Sequence, residues 1–276
     1  MRHLEEVLLA LRMAGFTVKF DKCEFGRSKI EYLGHWVGSG ILAVPKHRTS
    51  TMKNFAKPRT QKQLRSFLGS MNYYRKFIPG YAKLSAKLTP ATSKNSPVTV
   101  QWTQDMESAF CELKNVLCDV TVLHVPLPGD VFSLHTDASG DGIGAVLNIE
   151  RDEGDLPVSF YSRQLRGAET NYSVTELETL AIISSIEHFI CYLWGRQFKV
   201  FTDHKPCISL MRSRTLNRRL RRMALKLQEF QPEIVYRPGS ECGNADGLSR
   251  QAWQPHQISD AHKDHLSGGR CGAIPR

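Results

Sequence analysis

Residues 131–137 (VFSLHTD) alternate strictly, placing Phe132, Leu134 and Thr136 on one side of an extended chain and Ser133, His135 and Asp137 on the other. Gly140, Gly142 and Gly144 then allow a tight return into the apolar run Ala145 to Ile149. Pro157 to Ser162 supplies a third strand. The best helix follows from Ser173 to Trp194, with a Ser/Thr start, acids in its first turn, a stripe of Ile182, Ile183, Ile186, Phe189, Ile190 and Leu193, and a stop at Gly195. Phe198 to Asp203 is a fourth strand, Leu216 to Phe230 a strongly basic helix, Glu233 to Tyr236 a fifth strand, and Asn244 to Arg250 the start of a last helix. This order predicts an α/β (α+β) layer fold, a mixed five-stranded sheet with helices over both faces.

Upstream the pattern is different. Pro45 to Lys94 holds twelve Lys/Arg and no acid. Within it Leu64, Phe67, Leu68, Met71, Phe77, Leu84 and Leu88 have helical spacing, broken by Pro79-Gly80, which predicts two helices joined by a turn. Tyr73, Tyr74 and Phe77 sit among the cations as stacking or packing groups. Ile30 to Val44 is β-rich with Gly-x-Gly punctuation and reads as a hairpin. Residues 95–104 are Pro/Ser/Thr/Gln-rich and read as a linker, and Asp105 to Leu117 as a short amphipathic helix.

The whole chain of 276 residues carries 37 Lys+Arg against 27 Asp+Glu, a formal +10, which favours polyanionic partners. No stretch approaches a membrane span, and residues 1–15 read as an amphipathic helix rather than a signal peptide, so an intracellular protein, cytoplasmic or nuclear, is expected. Seven scattered cysteines without a Cys-x-x-Cys pair indicate neither a disulfide framework nor a zinc knuckle.

Four acids stand where acids are costly. Asp137 and Asp203 close strands, Glu178 lies in the first turns of an apolar helix, and Asp246 opens the last helix. Carboxylates gathered near strand ends repel one another unless a cation holds them, and two Mg2+ ions about 4 Å apart are a known device for in-line attack of water on a phosphodiester. Arg212, Arg214, Arg218, Arg219, Arg221, Arg222 and Lys226 form a run without an acid, suited to salt-dependent, sequence-independent contact with phosphates.

The segments HTDASGDGIGAVL (135–147), YSVTELETLAIISSIEHFICYLWGRQFKVFTDHKP (172–206), RLRRMALKLQEFQPEIVYRPG (219–239) and NADGLSR (244–250) closely resemble the ribonuclease H domain of gypsy-type LTR-retrotransposon reverse transcriptases. GFTVKFDKCEFGRSKIEYLGHWV (15–37) resembles the end of the polymerase palm with its primer grip, residues 64–89 resemble the thumb, and 102–117 the tether. The resemblance implies a palm remnant and thumb over 1–94, a tether over 95–125 and a ribonuclease H-like domain over 126–250, whereas residues 251–276 are expected on their own composition to be a flexible tail. It implies Asp137, Glu178, Asp203 and Asp246 as catalytic ligands of two Mg2+ (or Mn2+) ions, and cleavage of the RNA strand of an RNA–DNA hybrid. Helical-wheel arithmetic leaves Glu176 and Glu178 equivalent. The family's acid directly precedes a Leu-Ala-Ile-like run, which selects Glu178.

Tyr32, Leu33, Gly34 and His35 match the primer grip, and with Arg65, Tyr73, Arg75, Lys76, Arg218, Arg219, Arg221 and Arg222 they are the expected contacts to hybrid or double-stranded nucleic acid. Three departures stand out. No Asp-Asp dipeptide occurs, so the polymerase metal motif is missing and DNA synthesis by this chain alone is not expected. The loop RPGSECGN (237–244) lacks the histidine that many ribonucleases H carry there, and the last 26 residues do not resemble the family's continuation. A further reverse-transcriptase subunit, or a polyprotein segment upstream, would complete the palm. The alternative function is a non-catalytic nucleic-acid-binding relic of a retroelement polyprotein.

Overall fold

The structure, a computed structural model, describes residues 2–119, 122–152, 154–210 and 216–238. Asp246, the loop 239–244 and the tail 251–276, with the expectations placed on them, lie outside the described residues.

Two sheets organise the molecule. The first has sequential antiparallel order and is built from β1 (Lys29–Tyr32), β2 (His35–Gly38), β3 (Ile41–Ala43) and β4 (Leu123–His124). The expected hairpin over 30–44 is therefore three strands, because Ser39 and Gly40 make a second turn with positive φ. Before it, helix α1 (Arg2–Met13) has no buried residue.

The basic stretch folds into α2 (Lys46–Lys53), α3 (Gln61–Tyr73), a short 3-10 turn Arg75–Phe77, and α4 (Tyr81–Leu88). Thr60 and Gln63 cap α3 reciprocally, each satisfying a backbone N–H that the first helical turn leaves unpaired. Leu64, Phe67 and Met71 then fall on one buried face. With α5 (Gln104–Cys118), which contributes Phe110, Leu113 and Leu117, they form the first hydrophobic core.

The 95–104 segment is not a loose linker. Val100 is buried in this core, its N–H donates to the Arg59 carbonyl at 2.9 Å, and Trp102 Nε1 donates to the Pro58 carbonyl at 2.8 Å. Two apolar side chains and two hydrogen bonds, one from a backbone N–H and one from the Trp102 indole, outweigh its polar composition.

The second sheet has the order β7-β6-β5-β8-β9, formed by β5 (Val131–Ala138), β6 (Gly142–Arg151), β7 (Gly154–Gln164), β8 (Phe198–Thr202) and β9 (Glu233–Tyr236). β5, β6 and β7 are antiparallel, whereas β8 and β9 join in parallel. Gly142 is required where β6 begins, since a Cβ there would come within 2.6 Å of the Arg163 carbonyl on β7.

Helices α6 (Val174–His188) and α9 (Arg218–Phe230) cover one face, packing Ile182, Ile186 and Leu227 on Phe132, Leu134 and Leu147. The expected helix to Trp194 breaks at Phe189 and resumes as α7 (Ile190–Leu193). A short α8 (Pro206–Ser209) follows β8. On the other face Val146 and Phe160 join the first core, so α3, α4 and α5 help to cover this sheet as well. Double coverage explains why β6 is buried continuously from Ile143 to Ile149 rather than in alternation. The seam also carries polar contacts: the Ala82 N–H donates to Ser162 Oγ at 2.9 Å and Gln164 Nε2 to the Ala82 carbonyl at 3.4 Å. Among the described residues no helix is long and apolar enough to cross a membrane.

Candidate active site and nucleic-acid interface

β5 and β8 run parallel with His135 opposite Phe201, so continuing that register by two positions sets Asp137 opposite Asp203 at the carboxyl ends of both strands. Ligands of α/β sheets gather at such ends. α6 lies against β5 and brings Glu178, 4% exposed, to the same place. One carboxylate oxygen from each of Asp137, Glu178 and Asp203 lies within 4.8 Å of the others. Three anionic groups so close repel strongly, and a hard divalent cation with its preference for oxygen donors answers both the charge and the chemistry of the set.

Glu176 has a separate task. As the third residue of α6 it accepts from the Ser173 N–H at 2.9 Å and Ser173 Oγ at 3.1 Å, completing a capping box. Its other oxygen accepts from Asn217 Nδ2 at 3.2 Å and Arg219 Nη1 at 3.0 Å, tying the start of α9 to the start of α6. These donors hold its carboxyl below the usual glutamate range although burial pushes it up. The Ser-x-x-Glu spacing is the sequence signal that separates this carboxylate from Glu178.

Around the triad the loop after Asp203 is pinned by His204, whose Nε2 lies 2.9 Å from Thr175 Oγ1. Cys207 is buried beneath it, and burial pushes its thiol up to about 12, with Thr179 opposing and the charges of Glu178 and Asp203 adding. It remains a protonated packing residue. His135 is buried, stacks on Phe201 with 4.7 Å between ring centroids, and sets Nε2 3.2 Å from Asp155 Oδ2.

The hairpin tip is built differently. Leu33 and Gly34 both have positive φ, 48° and 71°, the two-residue turn whose twist suits a hairpin. Tyr32 and Leu33 are exposed. From below, Tyr73 Oη donates to the Leu33 carbonyl and Tyr74 Oη to the Gly34 carbonyl, so the end of α3 holds the turn. His35 is 7% exposed, with Nδ1 2.9 Å from the Leu33 carbonyl, and supports the turn rather than lying on its surface. Burial chiefly, with the Lys76 charge, draws this ring below the usual imidazole range against the opposing Leu33 carbonyl, so it is neutral at neutral pH.

Of the expected phosphate contacts, Arg218, Arg221 and Arg222 are exposed on α9, and Arg75 is exposed beside the hairpin. Lys76 is partly buried over the Phe77 ring, and that burial lowers its pKa. Two other arginines are committed within the protein: Arg219 to Glu176, and Arg65 to the Thr92 carbonyl at 2.7 and 3.1 Å and to Gln61.

Residues 128–230 match the RNase H-like domain found in reverse transcriptase. This chain carries an RNase H-like domain of the reverse-transcriptase kind. The chain is 36% identical, over 269 residues and 94% of its length, to the retrovirus-related Pol polyprotein from transposon opus of Drosophila melanogaster. The transposon Tf2-3 polyprotein of Schizosaccharomyces pombe is 36% identical over 96% of the chain. The chain spans only 27% and 20% of those two relatives. A foamy viral protease-reverse transcriptase solved with RNA/DNA hybrid shares the fold over 99% of this chain and 36% of its own, with TM-score 0.73 at 18% identity. The form solved with ds DNA gives TM-score 0.71 at 19% identity, over 85% of this chain and 42% of its own.

Proposed function

We propose that the RNase H-like domain hydrolyses the RNA strand of RNA–DNA hybrids, with residues 1–94 (palm remnant and thumb) and 95–125 (tether) adding grip on the duplex. The reading is carried by the triad of Asp137, Glu178 and Asp203, three carboxylates within 4.8 Å of one another at the strand ends of an RNase H-like sheet. The hybrid-bound foamy viral relative supports the choice of substrate.

These three side chains, with Asp246 as a proposed fourth, would hold Mg2+ or Mn2+. When bound, a pair of such ions supplies an activated water and charge stabilisation at the leaving 3′-oxygen. The chain's own part is orientation. Asp137 is fixed by a central strand paired on both sides, Glu178 by a capped helix packed on that strand, and Asp203 by the Thr175–His204 contact next to it. Arg218, Arg221 and Arg222 would neutralise backbone phosphates, and discrimination of hybrid from DNA duplex would rest on shape and the 2′-hydroxyl. DNA synthesis is not part of the proposal.

The test is cleavage of an end-labelled RNA–DNA hybrid with Mg2+, against EDTA and against Asp137→Asn and Asp203→Asn. RNA cut only within the hybrid, and in neither variant, is the expected result. Salt-sensitive binding without metal-dependent cutting would transfer the reading to a nucleic-acid-binding relic.

A further inference from the structure

A cleft of about 580 Å3 opens between the β1–β2 hairpin, the 3-10 turn after α3, strand β7 and the end of α6, within the size range of small-ligand sites. It is distinct from the carboxylate triad, since Glu178 and His188 lie at opposite ends of α6, separated by roughly 15 Å of helix rise. Its lining contains no Asp or Glu. Arg75 and Lys76 face it, and among the described residues no carboxylate is ion-paired with either. Also lining it, Tyr161 and His188 stack with ring centroids 4.2 Å apart and planes 19° from parallel, and Arg75 is within electrostatic reach of both. Tyr73, half exposed, borders the cleft on the hairpin side.

Unopposed cations beside flat aromatic faces suit a ligand that is anionic at one end and a planar ring at the other. A base satisfies the rings without hydrogen-bond readout, and its phosphate satisfies the cations. Base pairs inside a duplex have both faces covered by their neighbours, so the occupant is an unstacked base. We propose that this cleft binds an unpaired nucleotide, its base on the Tyr161–His188 stack and its phosphate on Arg75 and Lys76. The same chemistry is offered by an unpaired single strand and by a free nucleotide. Binding there needs neither metal nor the triad, and so goes beyond hydrolysis.

Among the described residues two exposed cysteines make the occupancy readable. Cys191 lines the cleft, while Cys111 lies on α5 outside it. The experiment follows alkylation of both thiols by N-ethylmaleimide in the full chain with EDTA, using a ten-residue oligo(dT) in one arm and AMP in the other. Probe should slow Cys191 and leave Cys111 unchanged. Arg75→Glu with Lys76→Glu should abolish that protection, and Tyr161→Leu should raise the half-protecting concentration about tenfold. Protection by the oligonucleotide alone identifies a strand as the source, and equal protection by AMP identifies a free nucleotide. No selective protection of Cys191 by either probe, or protection that survives the double charge reversal, overturns the proposal. Asp137→Asn should leave protection intact, so loss of this site and loss of hydrolysis are read separately.

Discussion

The two sheets solve opposite problems. The five-stranded sheet is covered on both faces, and its central strand β5 is paired with β6 and β8, so the carboxylates at its end inherit a rigid frame. The four-stranded sheet has short strands and an exposed turn whose carbonyls are held by tyrosine hydroxyls from α3. Burial fixes the geometry of the carboxylate triad, whereas the surface proposed to lie against a nucleic acid stays open and is steadied from beneath.

That contrast can be broken most sharply at the triad. Asp137→Asn should lower hybrid cleavage by about a thousandfold or more, the equivalent of several kcal/mol of lost transition-state stabilisation, while hybrid affinity in EDTA changes little. Cleavage within tenfold of the parent would remove Asp137 from the mechanism. The next effect concerns stability. Leu134→Ala, at a fully buried position, should cost about 2–5 kcal/mol in denaturant unfolding, and Leu42→Ala in the small sheet, where the side chain is only partly buried, about 1–2 kcal/mol. Equal costs would show that the two sheets bury these side chains in equally well-packed surroundings.

Gly34→Ala should cost about 1 kcal/mol because φ there is 71°, and should weaken hybrid binding without altering cleavage of bound hybrid. An unchanged dissociation constant would take the hairpin out of the interface. The smallest effect is in acid. Arg163 holds the Glu169 carboxyl below its ordinary value of 4.5 by direct hydrogen bonding, against the opposing effect of burial. A depressed carboxylate stabilises the fold above its unfolded value, and this contribution fades as pH falls through the folded one. Glu169→Gln should therefore flatten the acid side of the stability profile below pH 4.5 and leave its slope near neutrality unchanged.

Much of the larger sheet was legible because alternation survives wherever one face meets α6 and α9: Phe132 and Leu134 mark β5, and Glu233–Tyr236 was read with its observed bounds. The break at Phe189 was not, since Phe189 and Ile190 continue the apolar stripe and carry no Pro or Gly to announce it. Nor was the packing of 95–104, where polar composition hides the anchoring by Val100 and Trp102. At the site, the positions of Asp137 and Asp203 follow from strand ends alone. Choosing Glu178 over Glu176 needed the family resemblance, although the Ser173–Glu176 capping box already marks Glu176 for another purpose. The tyrosine hydroxyls under the hairpin and the Tyr161–His188 stack join residues far apart in the chain, and no local pattern reports them.

The placement of Val146 and Phe160 in the core of α3, α4 and α5 bears on inheritance. A crossover between two diverged copies near residue 126 would unite a sheet with helices that had accumulated changes beside a different partner. Only exchanges that preserved the volumes at those two positions, and the Ser162 hydroxyl under Ala82, would yield a well-packed hybrid chain. The two halves should therefore share one genealogy more often than free exchange at that junction would give.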